Sequence, residues 1–249
     1  MAFDWIQYED RYLRLPLYQV RDNFKDFPRV KVIDPEKALN RKFCSLVVSN
    51  LKNASPMREQ FFRLLSEYKQ VDSGGRLWNN VGGPVKDKGE FISNYKFNIA
   101  FENSKVHGYT TEKIMDPMVV NSIPIYWGNP AIGREFNPKS FVNVDDFSSL
   151  EQAVEYIVKL DTDNDLYLKM LNEPWTVSDS IFNWQESLTA FLKNIIDKPL
   201  QEAKYISPYG MQKAHKTDLR YLAFAHKYLR ISKIQAARNA IKKILMGSR

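Results

Sequence analysis

Arg58 and Lys113 occupy equivalent places in this sequence. Each falls in the first turn of an expected helix that directly follows an expected strand, Arg58 after Ser55-Pro56 and Lys113 after Thr110-Thr111. A helix N-terminus carries partial positive charge and favours acids, so a cation there is mildly unfavourable unless an anion joins it. Free backbone N–H groups, the helix dipole and a Lys or Arg together form a phosphate site. Taken singly, the ordinary reading of each residue is a solvated surface side chain, at a cost of about a few tenths of a kcal/mol. Two of them at equivalent ends of one sheet shift the balance toward a diphosphate. Glu112, beside Lys113, either complements the helix dipole or accepts hydrogen bonds from ribose hydroxyls, as acids do in nucleotide folds. Tyr109 either stacks on a base or caps the sheet edge, and the pattern leaves both open.

The other chemistry-bearing patterns point to structure. Asp161, Asp163 and Asp165 (DTDNDL) begin like a calcium loop, but the sixth position is Leu166 rather than Gly and the twelfth is Asn172 rather than Glu. Helix capping is expected there instead. Asp145-Asp146 reads as an acidic turn after a strand. Gly74-Gly75 and Gly82-Gly83 lack the spacing of a GxGxxG or Walker loop, and no GxSxG elbow occurs. The single cysteine, Cys44, lies in an apolar run and is expected to be inert packing. With one cysteine and three scattered histidines (His107, His215, His226), no metal site is expected and no cofactor is implied.

Bringing two helix N-termini together requires a particular scaffold. The run 43–48 (FCSLVV) reads as a buried strand. Ser55-Pro56 then supplies an N-cap and a first-position proline, and Met57, Phe61, Leu64, Leu65 and Tyr68 recur on one helical face. A Gly- and Asn-rich loop over 72–88 leads to a short helix at 90–95, a strand at 96–101 (KFNIAF) and a polar turn at 102–108. A helix over 111–120 and strands at 123–127 (IPIYW) and 141–144 follow. Ser149 and Gln152 make a capping-box pair opening a helix whose apolar face is Leu150, Val154, Ile157 and Val158. Two or three more helices are expected to about residue 197. Before the first strand, only a short helix near 10–20 is expected. Strand and helix alternating through short connections make an α/β fold with a doubly wound, mostly parallel sheet. Ligands bind such sheets at the carboxyl ends of the strands, which confines the search to 49–58, 102–113 and 128–134.

With 249 residues, 44% of them apolar and 13% aromatic, the chain can bury one or two cores, which excludes a largely disordered protein. No apolar run is long enough to span a bilayer, and the start, MAFDWIQYEDRY, lacks a secretory pattern, so a cytoplasmic location is expected. The net charge of +7 is unevenly placed: residues 213–249 hold six Lys, four Arg and one acid, a net +9, against −2 for the remainder. That argues against nucleic-acid binding by the body. The stretch 213–246 reads as a basic amphipathic helix with Leu219, Leu222, Ala225, Leu229 and Ala236 on one stripe. Such a helix lies on an anionic membrane surface, at about 1 kcal/mol per basic residue, or packs on the body and solvates its charges.

Three runs carry a family resemblance. The segments 95–114 (YKFNIAFENSKVHGYTTEKI), 123–128 (IPIYWG) and 136–144 (FNPKSFVNV) closely resemble the α1,3-fucosyltransferases of glycosyltransferase family ten. Ser49-Asn50 with 54–58 (ASPMR), and 12–18 (YLRLPLY), resemble its bacterial members. The likeness runs from about residue 8 to 195, and the FENS…TEK combination is its most specific part. The resemblance implies inverting transfer of L-fucose from GDP-fucose to a hydroxyl of an oligosaccharide acceptor containing N-acetylglucosamine or a related sugar. It implies a two-domain (GT-B) enzyme of facing Rossmann-like domains, of which this chain carries the C-terminal, donor-binding half.

Carried over position by position, Arg58 and Lys113 hold the diphosphate, Glu112 and Tyr109 contact ribose and nucleotide, and Asn103 lies beside the sugar-phosphate. Thr110 stands where valine is common in the family. Members also carry an N-terminal domain that binds acceptor and supplies the carboxylate general base; residues 1–40 read as a remnant of it or the linker after it, so the catalytic residue is left unassigned. On this reading 41–200 is the nucleotide-sugar domain and 201–249 the basic tail. A non-catalytic nucleotide-sugar-binding remnant, or a membrane-associated binding module, is the alternative.

Overall fold

The computed structural model describes residues 12–50, 55–203, 220, 221 and 224. The chain divides into two units, Met1–Leu192 and Lys193–Arg249, and the sheet belongs to the first. Its strands are β1 (Lys42–Leu46), β2 (Val71–Ser73), β3 (Tyr95–Phe101), β4 (Ile123–Trp127) and β5 (Val142–Asn143). They run parallel in the order β2-β1-β3-β4-β5. The helices are α1 (Pro35–Leu39), α2 (Met57–Tyr68), α3 (Lys88–Ser93), α4 (Glu112–Val119), α5 (Leu150–Thr162), α6 (Asn164–Asn172), α7 (Trp184–Ile196) and α8 (Leu200–Ala203).

Every residue of β3 and β4 is buried, because helices cover both faces of the sheet. That is why their sequences read as nearly unbroken apolar runs rather than alternating ones. The polar exceptions are satisfied: Asn98 donates to the Ser45 carbonyl at 3.1 Å and to Ser45 Oγ at 2.8 Å. Lys96 pairs at 3.3 Å with buried Asp161, which also accepts from Tyr68 and Lys69, each at 3.1 Å. Asp161 therefore ties the last turn of α5 to the end of α2 and the start of β3. Onto the sheet α2 packs Phe61 and Leu65, α4 packs Ile114, Met115 and Met118, and α5 packs Ala153, Ile157 and Leu160. Apart from Ala153, each such side chain is worth roughly 1.5–3 kcal/mol of burial.

Ahead of the sheet, short 3-10 turns at Leu17–Val20 and Asp22–Asp26 lay Tyr18, Phe24 and Phe27 against the core. Tyr18 meets Phe136 edge-on at 5.2 Å, and Phe24 stacks on Phe182 at 5.9 Å. Further along, Lys31 donates to the Leu171 carbonyl at 2.7 Å and sits 3.0 Å above the Trp175 ring.

The elements differ from expectation mainly where they are short. The 3-10 turns stand in place of the helix expected near 10–20, of which residues 10 and 11 lie outside the described residues. α1 was unanticipated, although Asp34 caps it by accepting from Lys37 N at 3.1 Å, and Pro35 opens it. β2 lies partly in the segment expected to be loop. The helix expected over 90–95 spans Lys88–Ser93, because Asp87 caps it and Tyr95 already belongs to β3. Gln152 does not close the expected box onto Ser149 N; its side chain accepts from Ser148 N at 3.2 Å while Ser149 Oγ accepts from Gln152 N. Asp163 caps α6, as the capping reading of DTDNDL expected, whereas Asp161 faces inward. The basic helix expected over 213–246 lies outside the described residues apart from Arg220, Tyr221 and Phe224.

Candidate functional site

The strand order turns at β1 and β3. From β1 the chain crosses outward to β2, and from β3 it crosses the other way to β4. The loops leaving the two neighbouring strands therefore part, and a crevice opens at their carboxyl ends, the topological switch point of an open α/β sheet. α2 and α4 begin on either side of it. Arg58 is the second residue of α2 and Lys113 the second of α4.

Arg58 is not a solvated surface side chain; it is 3% exposed. Its Nη2 donates to the Phe101 carbonyl at 2.7 Å and to Asn103 Oδ1 at 3.0 Å. Burial lowers its pKa, opposed by Glu102 and Tyr109. Pro56, not Ser55 as expected, is the N-cap of α2 and gives no side-chain cap; Ser55 stands just before it, its Oγ accepting from Met57 N at 3.3 Å and its N–H donating to the Asn103 carbonyl at 2.8 Å. Asn103 thus holds both the cation and the helix that bears it.

Lys113 is placed by a residue that sequence reasoning passed over. Glu102, the first residue after β3, has a fully buried carboxylate that accepts from Lys113 Nζ at 3.2 Å and from Thr111 N at 2.7 Å. Thr111 Oγ1 lies 2.9 and 2.7 Å from its two oxygens. One carboxylate therefore fixes the N-cap of α4 and the ammonium of its second residue. Burial raises the Glu102 pKa, against the opposing pull of Lys113 and the Thr111 hydrogen bonds. Gly128 makes room for this group: a Cβ there would stand 2.5 Å from Glu102 Cγ and 2.6 Å from its Cβ. An acid ending a strand looks like an ordinary turn residue. The signal that could have found it is the small residue just past β4, whose contact spans 26 positions.

Arg58 and Lys113 line one cleft of about 30 Å³, together with Leu46, Val48, Phe101 and Lys88. That room admits about one water-sized group. Lys88 also pairs with Asp116 at 2.5 Å. Glu112 Oε1 lies 3.9 Å from Lys113 Nζ. The half-buried Tyr109 has its pKa raised by burial and by Glu102 and Glu112, with Arg58 opposing, so its hydroxyl lies in the field of all three. The structure thus gathers Arg58, Asn103, Tyr109, Glu112 and Lys113 around the switch point. Larger clefts of about 450, 610 and 620 Å³ lie away from these residues. The converging charges, rather than the volume, mark the candidate site.

The C-terminal profile of glycosyltransferase family 10 (fucosyltransferase) matches residues 38–206. The chain belongs to this family. It is similar to the α1,3-fucosyltransferase FucT of Helicobacter pylori, at 38% identity over 235 residues that cover 79% of this chain and 49% of that protein. It is also similar to the 3-galactosyl-N-acetylglucosaminide 4-α-L-fucosyltransferase FUT3 of Bos taurus, at 33% identity over 57% of this chain and 39% of that protein. A crystal structure of an α1,3-fucosyltransferase with GDP-fucose matches with a TM-score of 0.68 and 37% identity, covering 79% of this chain and 69% of that one. The chain spans about half the length, or less, of these curated relatives. The five-stranded parallel sheet is accordingly the family 10 α/β architecture expected from the sequence.

Proposed function

We propose that the chain binds GDP-fucose in the crevice between β1 and β3 and serves the inverting transfer of L-fucose to an oligosaccharide acceptor, in α1,3 linkage on an N-acetylglucosamine-type sugar. The observation that carries the reading is that Arg58 and Lys113 line one cleft at two helix N-termini. The names of the relatives support the same donor and reaction. In the reaction, an acceptor oxygen attacks C1 of fucose on the face opposite the diphosphate. The bond from C1 to the phosphate oxygen breaks, its electron pair leaves with GDP, and the acceptor proton passes to a base.

The charge that builds on the departing diphosphate meets Arg58, Lys113 and the amide ends of α2 and α4, already oriented before it forms. This arrangement calls for no metal or cofactor. Glu112 and Tyr109 serve the ribose and nucleotide. Asn103, with Oδ1 committed to Arg58, has its amide hydrogens to offer the sugar-phosphate. The base belongs to the acceptor side, as the resemblance implies, and none of these five residues is assigned to it.

Calorimetric titration with GDP tests the reading. Micromolar binding is expected, with loss in Arg58→Ala and in Lys113→Ala; a folded wild-type chain that takes up no GDP overturns it. Incubation with GDP-fucose and N-acetyllactosamine then shows whether this chain transfers fucose by itself, and product would eliminate the remnant alternative.

We further propose, from the net +9 of residues 213–249, that the chain lies peripherally on the anionic, cytoplasmic face of a membrane. Among the described residues no helix is long and apolar enough to cross one. Co-sedimentation with phosphatidylserine vesicles, lost on deleting 213–249, is the expected result; equal sedimentation of both forms refutes it.

A further inference from the structure

Outside the phosphate cleft, Glu135, which follows β4, is held by three side chains. Its carboxylate is 12% exposed and receives a two-pronged guanidinium fork: Arg14 Nη1 on Oε1 and Arg14 Nη2 on Oε2, the latter at 3.1 Å. The buried Tyr18 hydroxyl donates to Oε1 at 2.9 Å, and Thr110 Oγ1 lies 3.3 Å from Oε2. Arg14 Nη2 also donates to the Gly108 carbonyl at 3.2 Å.

From the other side, buried Asn129 completes the enclosure. Its Oδ1 accepts from Gly108 N at 2.9 Å, and its Nδ2 donates to Thr110 Oγ1 at 2.9 Å. Gly108 and Thr110 are the two neighbours of Tyr109. The residue on one side is held through both its amide and its carbonyl, and the residue on the other through its hydroxyl. Tyr109 N donates to the Val106 carbonyl at 3.1 Å. The Thr110 hydroxyl serves both groups at once, accepting from Asn129 and donating to Glu135.

We propose that Glu135, clamped by Arg14, is a positioning residue that sets Tyr109 for the nucleotide; this rests on the donor-binding reading above. The carboxylate touches no part of the phosphate cleft and acts through the loop that carries Tyr109. A fork of two parallel N–H···O contacts fixes orientation as well as distance, which a lysine at 14 or an amide at 135 cannot reproduce.

Two measurements on the full chain test this. The first is amide exchange without nucleotide in the wild type, Glu135→Gln and Arg14→Lys. Faster exchange across 106–111, by roughly tenfold or more, with β3 and β4 unchanged, is expected. Unaltered exchange at 106–111 overturns the proposal whatever the chain binds. Exchange that rises equally in β3 and β4 shows general loosening and also overturns it. The second is GDP affinity in a double-mutant cycle of Glu135→Gln with Tyr109→Ala. A loss of roughly fivefold in the wild-type background and none in the Tyr109→Ala background is expected. Equal losses in both backgrounds, or none in the first, defeat the proposal. Should Glu135→Gln fail to fold, Arg14→Lys takes its place in the cycle. A wild-type chain that binds no GDP, while 106–111 loosens in the variants, overturns the donor reading alone.

Discussion

Lys113 Nζ stands 3.2 Å from a carboxylate oxygen of Glu102 that has no exposure to solvent. The cation proposed above to hold the diphosphate thus has a resident counter-charge, and that charge also anchors the N-cap of its own helix. Replacing Glu102 with Gln keeps the shape but removes the charge. We expect GDP affinity to fall by roughly tenfold, measured by calorimetry. Glu102→Ala leaves the Thr111 amide unpaired and removes the acceptor of its hydroxyl proton, at a cost of about 1–3 kcal/mol in urea unfolding. Unchanged GDP affinity in Glu102→Gln would separate Lys113 from its proposed task.

Gly128→Ala should act on the same group from the other side. The new methyl meets the Glu102 side chain at 2.5–2.6 Å, so that chain must move. A stability loss of about 1–3 kcal/mol is expected, together with weaker GDP binding. Because both changes act through one carboxylate, Gly128→Ala with Glu102→Gln should lose less than the sum of the two. Additive losses would show that Gly128 serves something else.

Arg58→Lys tests whether geometry matters beyond charge. Both internal bonds come from Nη2, so a single ammonium making them lacks the further N–H donors that the planar guanidinium can turn to an anion. GDP binding should weaken by roughly tenfold or more even though the formal charge is kept. Wild-type affinity in this variant would reduce Arg58 to a point charge.

A pH effect is expected far from the site. Burial lowers the Lys31 pKa to about 7, against the opposing pull of Glu173, from an ordinary value of 10.5. Between those two values the unfolded chain binds the proton and the folded chain does not, so stability should rise as pH rises from about 7 toward 10. The Trp175 ring and the Leu171 carbonyl favour the charged form and temper the slope. In Lys31→Met this contribution should vanish, which urea midpoints at pH 7 and pH 9 would reveal. An identical pH dependence in the two proteins would rule it out.

What the sequence made legible follows from interaction range. β4 could be bounded at Ile123–Trp127 because a doubly covered strand needs a nearly continuous apolar run, and α4 because Thr111 caps it locally. Arg58 and Lys113 stood out because a cation in a first helical turn is a local anomaly, and both line one cleft. Glu102 was missed because its burial depends on Gly128 beyond another strand. Glu135 was missed because its partner Arg14 lies 121 positions away. β2 has three residues at a sheet edge, too few to display any period.

Arg58 is moored to the Phe101 carbonyl and to Asn103 within the protein itself. A free arginine loses roughly 2 kcal/mol of rotamer freedom when it is immobilised. Here that disorder is surrendered when the chain folds, so the anion proposed to dock in the crevice would meet a partner already standing still. Compounds built to compete for this pit would do well to copy a rigid, pre-spaced pair of oxyanions, since the receptor will not bend to accommodate a poor match.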